Sequence, residues 1–498
     1  MMKINIISRE ENKIFRNKVN SIVRNAKTSY YKTKFRSYQS DVKNTWSLIN
    51  DIISPNRNKC KNLKLTICNR EISNTQEITE IFNTHFSSIA HNLLNNISHT
   101  SLNAIELVPP SPQSFFLSPV RFSECEKIID SLKNSKTSTD ELPVKIFQSN
   151  SHLISPTISK LINRCFSSTT FPSCLKIAII RPIFKRGNPN NVSNYRPISI
   201  LPYIAKIIEK CIYNRILYFF TSNNLITNSQ FGFLPNNSTV DALNSFIEFQ
   251  YNALNYSQYA LNVFVDLSKA FDTIDHQILL GKLDKYGVRG LPLELIRSYI
   301  SDRKYRVSID GNISNASTSN IGTAQGSILA PLLFIIYMND LPNYLPNSFT
   351  ILYADDTTLC YKNNSLMSAI DQCNSELLKF SLWCQANKLT INLDKTCYMI
   401  VSNRKIPDLN VSLKMNNIPI NLTHSHKFLG VTFDDQLKFN LHIADISTKI
   451  SKSVGIIYKL SNVLPNSTLL NIYHALVNLH IMYCNVIWGL LMILTSKL

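Results

Sequence analysis

Glycine is scarce, with 11 in 498 residues. A glycine inside a motif therefore carries information, because glycine alone takes left-handed backbone and close approach without steric cost. Paired cysteines are also missing. The eleven cysteines are odd in number and none forms a C-x-x-C spacing. That excludes the close ligand pairs of zinc modules and argues against a chain-wide disulfide framework. Reduced thiols in an intracellular setting fit best. The apolar run near the C-terminus covers only residues 486–494, against the roughly 20 residues that a membrane-spanning helix needs. It reads as a buried helix. The first ten residues hold no apolar core, so no secretory leader is expected. No internal repeat is present.

Acid is short relative to base. There are 33 Asp and Glu against 52 Lys and Arg, a net charge of +19, which points to a polyanionic partner. The excess is uneven: residues 1–64 carry fifteen Lys/Arg and four Asp/Glu. A hydrophobic share of 44% with 17% charged residues is globular, and the length exceeds one core, so several subdomains are expected.

Residues 9–53 read as helix. Arg16, Lys18, Arg24, Lys27, Lys32, Lys34 and Arg36 are interleaved there with Phe15, Tyr30, Tyr31, Phe35 and Tyr38. A solvated basic helix and a phosphate-contacting one both fit this pattern. Pro55 and the Asn/Lys-rich stretch after it read as a linker. Helical periodicity returns over 76–98 and 121–134, around a Pro/Ser-rich loop. Ser138-Thr139-Asp140 gives a helix-start signal before Pro143, and the helix to Phe166 should break within 151–156.

From Ile177 strands and helices mix. Strands are expected over 177–184, 195–199, 261–267, 305–309, 396–401, 409–415 and 427–433. Helices are expected over 203–220, 238–254, 275–286, 292–300, 329–338, 366–388, 441–460 and 467–486. This is an α+β pattern with a helical tail.

The chemistry centres on Tyr353-Ala354-Asp355-Asp356. Apolar sequence precedes the two acids and a β-prone run follows, so they sit on a tight turn between strands. Adjacent carboxylates repel, and a divalent cation removes that cost. Asp266 ends the strand over 261–267, an unusual place for a charge; alone it is equally a turn cap. Three carboxylates on two strand ends can hold two divalent cations roughly 3.5–4 Å apart, the arrangement for in-line phosphoryl displacement. Mg²⁺ suits such a site and Mn²⁺ can replace it. Lys185 and Arg196 flank a polar turn and make a pair of phosphate grips, or ordinary surface charge. Lys395, before a strand, is either exposed or a proton donor to pyrophosphate. Gly326 after Gln325 permits close backbone approach to a ligand.

The ordered segments Phe264-Val265-Asp266-Leu267-Ser268-Lys269-Ala270-Phe271-Asp272, Gln325-Gly326-Ser327-Ile328-Leu329-Ala330-Pro331-Leu332-Leu333-Phe334 and Tyr353-Ala354-Asp355-Asp356 resemble the reverse transcriptases of non-LTR (LINE-type) retrotransposons, within them the jockey-like group. The resemblance covers roughly residues 120–490. It implies a right-hand polymerase fold of fingers, palm and thumb, with an antiparallel palm sheet and a basic helical N-terminal extension. It implies that Asp266, Asp355 and Asp356 bind two catalytic metals and that Phe271 gates against a ribose 2′-OH. Lys185 and Arg196 match the residues that hold the triphosphate, Gln325 and Gly326 those lining the template and incoming base pair, and Lys395 the lysine near the leaving pyrophosphate. Phe428, Leu429 and Gly430, followed by Val431, match the primer-grip hairpin. Four regions follow: a basic extension and linker over 1–70, a helical lead-in over 71–160, fingers and palm over 161–436, and a truncated thumb over 437–498.

The implied activity is RNA-directed DNA synthesis by a mobile-element polymerase. Its partners are an RNA template, a DNA primer or nicked target DNA, and dNTPs, with no membrane. Endonuclease activity is expected to come from elsewhere, and the setting is the nucleus, or the cytoplasm with its RNA. The sequence departs from the family pattern at Ala324 (usually proline), Ala330 (usually glycine) and Leu234 (often arginine or lysine), and the Ser138–Asp140 segment lacks the usual glycine. A catalytically inactive RNA-binding remnant is the alternative reading; an RNA-templated RNA polymerase is a third, against which Phe271 and Tyr353-Ala354-Asp355-Asp356 speak.

Overall fold

The computed structural model describes residues 9–38, 41–53, 63–67, 69–95, 97–98, 100–132, 143–406, 412–461 and 464–489. The helix-start signal at Ser138-Thr139-Asp140 lies outside them. The chain divides into two compact units, Asn62–Leu429 and a second built from Met1–Lys61 with Gly430–Leu498.

The larger unit is organised on a five-stranded sheet, ordered Asn421–Leu422, Cys397–Val401, Tyr259–Val265, Asp356–Asn363, Phe349–Tyr353. Every residue of Tyr259–Val265 is buried, as a central strand covered on both faces requires. Its one polar residue, Asn262, exchanges two amide hydrogen bonds with Gln250 at 2.7 and 2.9 Å, so burying it leaves no unmet polar group. Four of the strands are antiparallel, but the edge pair Cys397–Asn421 is parallel. The expected all-antiparallel sheet is corrected at that edge.

Helices Thr239–Asn255 and Leu366–Ala386 pack on this sheet. The first starts with a capping box, in which Ser238 and Asp241 serve each other's backbone N–H. Helix Ala330–Met338 is buried on nearly every side, which is why its sequence lacks an amphipathic stripe. The buried pair Lys282–Asp340 closes at 2.5 Å. Asp340 also accepts from Trp383 Nε1 at 2.8 Å and Lys282 also donates to the Tyr337 carbonyl at 2.7 Å.

A second sheet is mixed. Ile177–Phe184 runs antiparallel to Tyr195–Ile200 and parallel to Arg303–Ile309. The break expected within 151–156 falls at Asn150 instead, and Pro156 sits inside helix Ser151–Ser168.

The smaller unit is helical. Helices Arg9–Ser37 and Val42–Ile53 share a core with Asn440–Ser461 and Asn466–Tyr473, through Phe35, Leu48, Ile49, Leu460, Leu464 and Ile472. The sequence reading keeps the basic segment 1–70 apart from the tail 437–498; here they bury apolar side chains together. Two expected elements are broken. The strand over 427–433 splits into Ser425–Phe428 and Val431–Asp434, because Leu429 and Gly430 both take positive φ, +43° and +89°. The helix over 467–486 is interrupted after Tyr473 by a π turn over His474–Asn478. No helix among the described residues is long and apolar enough to cross a membrane. The nine described cysteines form no disulfide.

Candidate active site

The acidic hairpin follows from strand register. Asp356 pairs with Tyr353, leaving Ala354 and Asp355 as the turn. Ala354 takes a φ of +56°, a conformation that favours glycine and that an L-residue holds only when its surroundings fix it. Thr357 pairs with Val265, so one step further along the register sets Asp356 opposite Asp266. The β-branched and aromatic runs that made these strands legible thus also bring the three acids to one end of the sheet.

Asp266 is held by the loop that follows helix Leu366–Ala386. Its N–H donates to Thr396 Oγ1 at 3.3 Å and its carbonyl accepts from the Asn392 N–H at 2.8 Å. That loop carries Lys395, whose Nζ donates to Asp266 Oδ2 at 3.0 Å. Lys185 stands just past the end of its strand, anchored by its N–H to the Asn194 carbonyl at 2.9 Å, and Arg196 faces Ile183 across the same ladder. Among the described residues neither Lys185 nor Arg196 forms an ion pair.

These groups share one field. The Lys185 ammonium is held below its ordinary pKa, first by burial and then by Arg196, Lys395 and Arg186, against the pull of Asp266. Asp355 is raised, first by burial and then by Asp266, with Arg196 and Lys185 opposing. Asp356 keeps a solvent-exposed edge, yet its carboxyl is pushed up to about 6 by lost hydration, then by Asp355 and Asp266. A carboxylate cluster that resists full ionisation is relieved by a cation. Among the described residues no three His, Cys, Asp or Glu side chains already converge on one metal position; Asp266 is turned to Lys395. In donor chemistry the three oxygen ligands fit a hard divalent ion.

Phe271 is half-buried, stacked on Phe334 at 4.4 Å with Phe233 edge-on at 6.5 Å. Beside it, Gln325 Nε2 donates to Asp272 Oδ1 at 2.7 Å and the Gln325 carbonyl accepts from the Ser199 N–H at 2.7 Å. Gly326 has a φ of +115°, and a Cβ there would stand 2.5 Å from the Ser199 carbonyl oxygen. The glycine is thus required by both conformation and space. Phe428 is placed differently: its ring is buried against Phe246 and Phe264 at 5.5 and 5.8 Å, so it packs the sheet, and the positive-φ residues Leu429 and Gly430 make the turn after it.

Three supporting residues escape a sequence reading. Glu209, fully buried in helix Tyr203–Ser222, accepts from the Tyr299 hydroxyl at 2.8 Å, Ser327 Oγ at 3.1 Å and the Ile328 N–H at 2.8 Å. It fixes the loop carrying Gln325 and Gly326. Its position in an amphipathic helix gives no hint, since the partners come from 90 or more residues away in sequence. Thr396 and Gln230 are the others; Gln230 sits in Gln230-Phe231-Gly232-Phe233, where the glycine was the signal.

The family described as "Reverse transcriptase (RNA-dependent DNA polymerase)" matches residues 183–433. The chain is 30% identical over 361 residues to the RNA-directed DNA polymerase from mobile element jockey of Drosophila melanogaster, covering 70% of this chain and 39% of that protein. It is 30% identical over 402 residues to the jockey polymerase of Drosophila funebris, covering 76% and 42%. It is 25% identical over 450 residues to the probable RNA-directed DNA polymerase from transposon BS of Drosophila melanogaster, covering 85% and 48%. The chain thus spans less than half the length of each of these relatives.

Proposed function

Because the chain belongs to the reverse transcriptase family, we propose that it is the RNA-directed DNA polymerase of a non-LTR mobile element, extending a primer 3′-OH with dNTPs on an RNA template. The observation that carries this reading is the gathering of Asp266, Asp355 and Asp356 at one end of a sheet, in one electrostatic field with Lys185, Arg196 and Lys395.

In this reading Asp266, Asp355 and Asp356 would hold divalent cations, Mg²⁺ first and Mn²⁺ as a substitute. When bound, such ions activate the attacking hydroxyl and neutralise the leaving oxygens. Lys185 and Arg196 grip the triphosphate, Arg196 as a planar fork and Lys185 as a point charge. Lys395 is placed beside Asp266 to meet the departing pyrophosphate and give it a proton. Phe271, backed by Phe334, stands against a ribose 2′-OH. Gln325 and Gly326 line the template and incoming base pair, and Leu429 and Gly430 steer the primer end from a hairpin that the buried Phe428 anchors.

In the same reading the five-stranded sheet corresponds to the palm, the second sheet to the fingers, and helices Asn440–Ser461 and Asn466–Tyr473 to the thumb. Helix Arg9–Ser37, whose Arg16, Lys18, Arg24 and Lys27 are exposed, offers phosphate contacts to RNA or to the DNA primer or nicked target. Synthesis primed at a chromosomal nick places the protein in the nucleus, and assembly with its RNA in the cytoplasm.

The test is the purified chain with an RNA template, an annealed DNA primer, dNTPs and Mg²⁺. Extension of the primer supports the reading. RNA binding without incorporation, with either Mg²⁺ or Mn²⁺, decides for a catalytically inactive RNA-binding remnant.

A further inference from the structure

The segment Gln230-Phe231-Gly232-Phe233 has no part in the assignments above, yet it is bonded to the turn that carries the catalytic acids. The Phe231 N–H donates to the Leu352 carbonyl and the Leu352 N–H to the Ser229 carbonyl, both at 2.8 Å. This isolated parallel bridge between Gln230 and Leu352 aligns the segment with the end of strand Phe349–Tyr353. The Gln230 side chain then reaches under the turn. Its Oε1 accepts from the Gly232 N–H at 2.8 Å and the Ala354 N–H at 3.2 Å. Asn237 Nδ2 holds the Gln230 carbonyl at 3.1 Å. Gln230 is 1% exposed, so no water competes for that oxygen.

Two further facts make this contact specific. Ala354 is the residue in left-handed conformation, φ +56°, and a non-glycine residue keeps that conformation only when something fixes it. At Gly232 a Cβ would stand 2.4 Å from the Ala354 nitrogen and 3.0 Å from the Tyr353 carbonyl carbon, so the segment and the turn lie in direct backbone contact. Among the described residues, Gln230 Nε2 has no partner. Only the oxygen of this buried amide is used, shared between the Gly232 N–H of its own segment and the Ala354 N–H of the turn.

We propose that Gln230 is a positioning residue for catalysis: its carboxamide oxygen clamps the Ala354 N–H and so sets where Asp355 and Asp356 present their carboxylates. The proposal rests on the polymerase reading for its consequence, though not for the contact itself. Removing this acceptor frees two N–H groups together, those of Gly232 and Ala354, and both lie where the segment meets the turn. Gln230→Met, of similar length and without the acceptor, should therefore loosen the turn and leave the sheet intact. In that background Ala354→Gly should restore part of the loss, because glycine takes positive φ without a clamp.

The experiment pairs hydrogen exchange with single-nucleotide incorporation in the full chain. In Gln230→Met, exchange over residues 349–356 should rise about tenfold or more while the rest of the molecule exchanges as before. The maximal incorporation rate should fall about tenfold or more with KM for dNTP within about twofold, since the acids and not the nucleotide grip are displaced. Adding Ala354→Gly should recover a measurable share of that rate. Gly232→Ala should reproduce the loss by wedging the turn. Unchanged exchange over 349–356, or raised exchange with an unchanged rate, overturns the proposal. If the wild-type chain incorporates nothing, the polymerase reading falls, and the exchange measurement alone then decides whether Gln230 clamps the turn.

Discussion

Lys395 donates from Nζ to Asp266 Oδ2 at 3.0 Å, so its ammonium takes up a carboxylate oxygen that the proposed divalent cation would need. Both side chains are partly exposed, 45% and 37%, and a pair of that kind is worth no more than about 1 kcal/mol. Lys395→Met should therefore tighten Mn²⁺ binding by a factor of up to about five, while slowing nucleotide incorporation through loss of the proposed proton donor. A Mn²⁺ titration beside a rate measurement checks both. Weaker Mn²⁺ binding with an unchanged rate would contradict the placement.

Asp356 supplies a pH dependence. Its carboxyl is raised from 3.8 to about 6, so between those values the folded chain keeps a proton that the unfolded chain has lost. Stability associated with this group is thus complete below the unfolded pKa and is lost as pH rises through the folded one. In EDTA, the thermal midpoint should carry a downward contribution across that window, and Asp356→Asn should remove it. Mg²⁺ should raise the midpoint more at about pH 7 than at about pH 5, because it binds the ionised form. Melting curves at the two pH values, with and without Mg²⁺, measure this.

Gly326 tests the loop beside Phe271. An alanine there meets the Ser199 carbonyl oxygen at 2.5 Å with φ at +115°, a strain on the order of 1–3 kcal/mol. Gly326→Ala should lower the melting temperature by a few degrees and raise KM for dNTP, read from steady-state incorporation. An unchanged KM would separate this loop from nucleotide binding.

The buried pair Lys282–Asp340 tests the core beneath the site. Both side chains are 0% exposed, and Asp340 also holds Trp383 Nε1. Lys282→Ala leaves a buried carboxylate without its counter-charge, which costs about 3–5 kcal/mol. Urea unfolding should show that loss, with Arg297→Ala, an exposed pair with Glu294, changing stability by less than about 1 kcal/mol.

The parts of this molecule written in local pattern were readable from the sequence. Ile177–Phe184 falls where isoleucines cluster, helix Thr239–Asn255 starts at its Ser238 cap, and the acids lie at strand ends because the strands run up to them. What was not readable depends on distant partners. Glu209 looks like any helix carboxylate until Tyr299 and Ser327 surround it. The basic N-terminal helix and the C-terminal helices share a core that no local period announces. The break at Leu429-Gly430 had a signal, since a glycine in a glycine-poor chain marks a turn, and the strand pattern on both sides hid it.

The central claim is that Asp355 is part of a nucleotidyl-transfer site. Asp355→Asn keeps the size of the side chain and removes one metal-binding charge. Primer extension on an RNA template with dNTPs and Mg²⁺ should fall to background in this variant, with RNA affinity and melting temperature close to those of the unaltered chain. Extension at the unaltered rate would contradict the account.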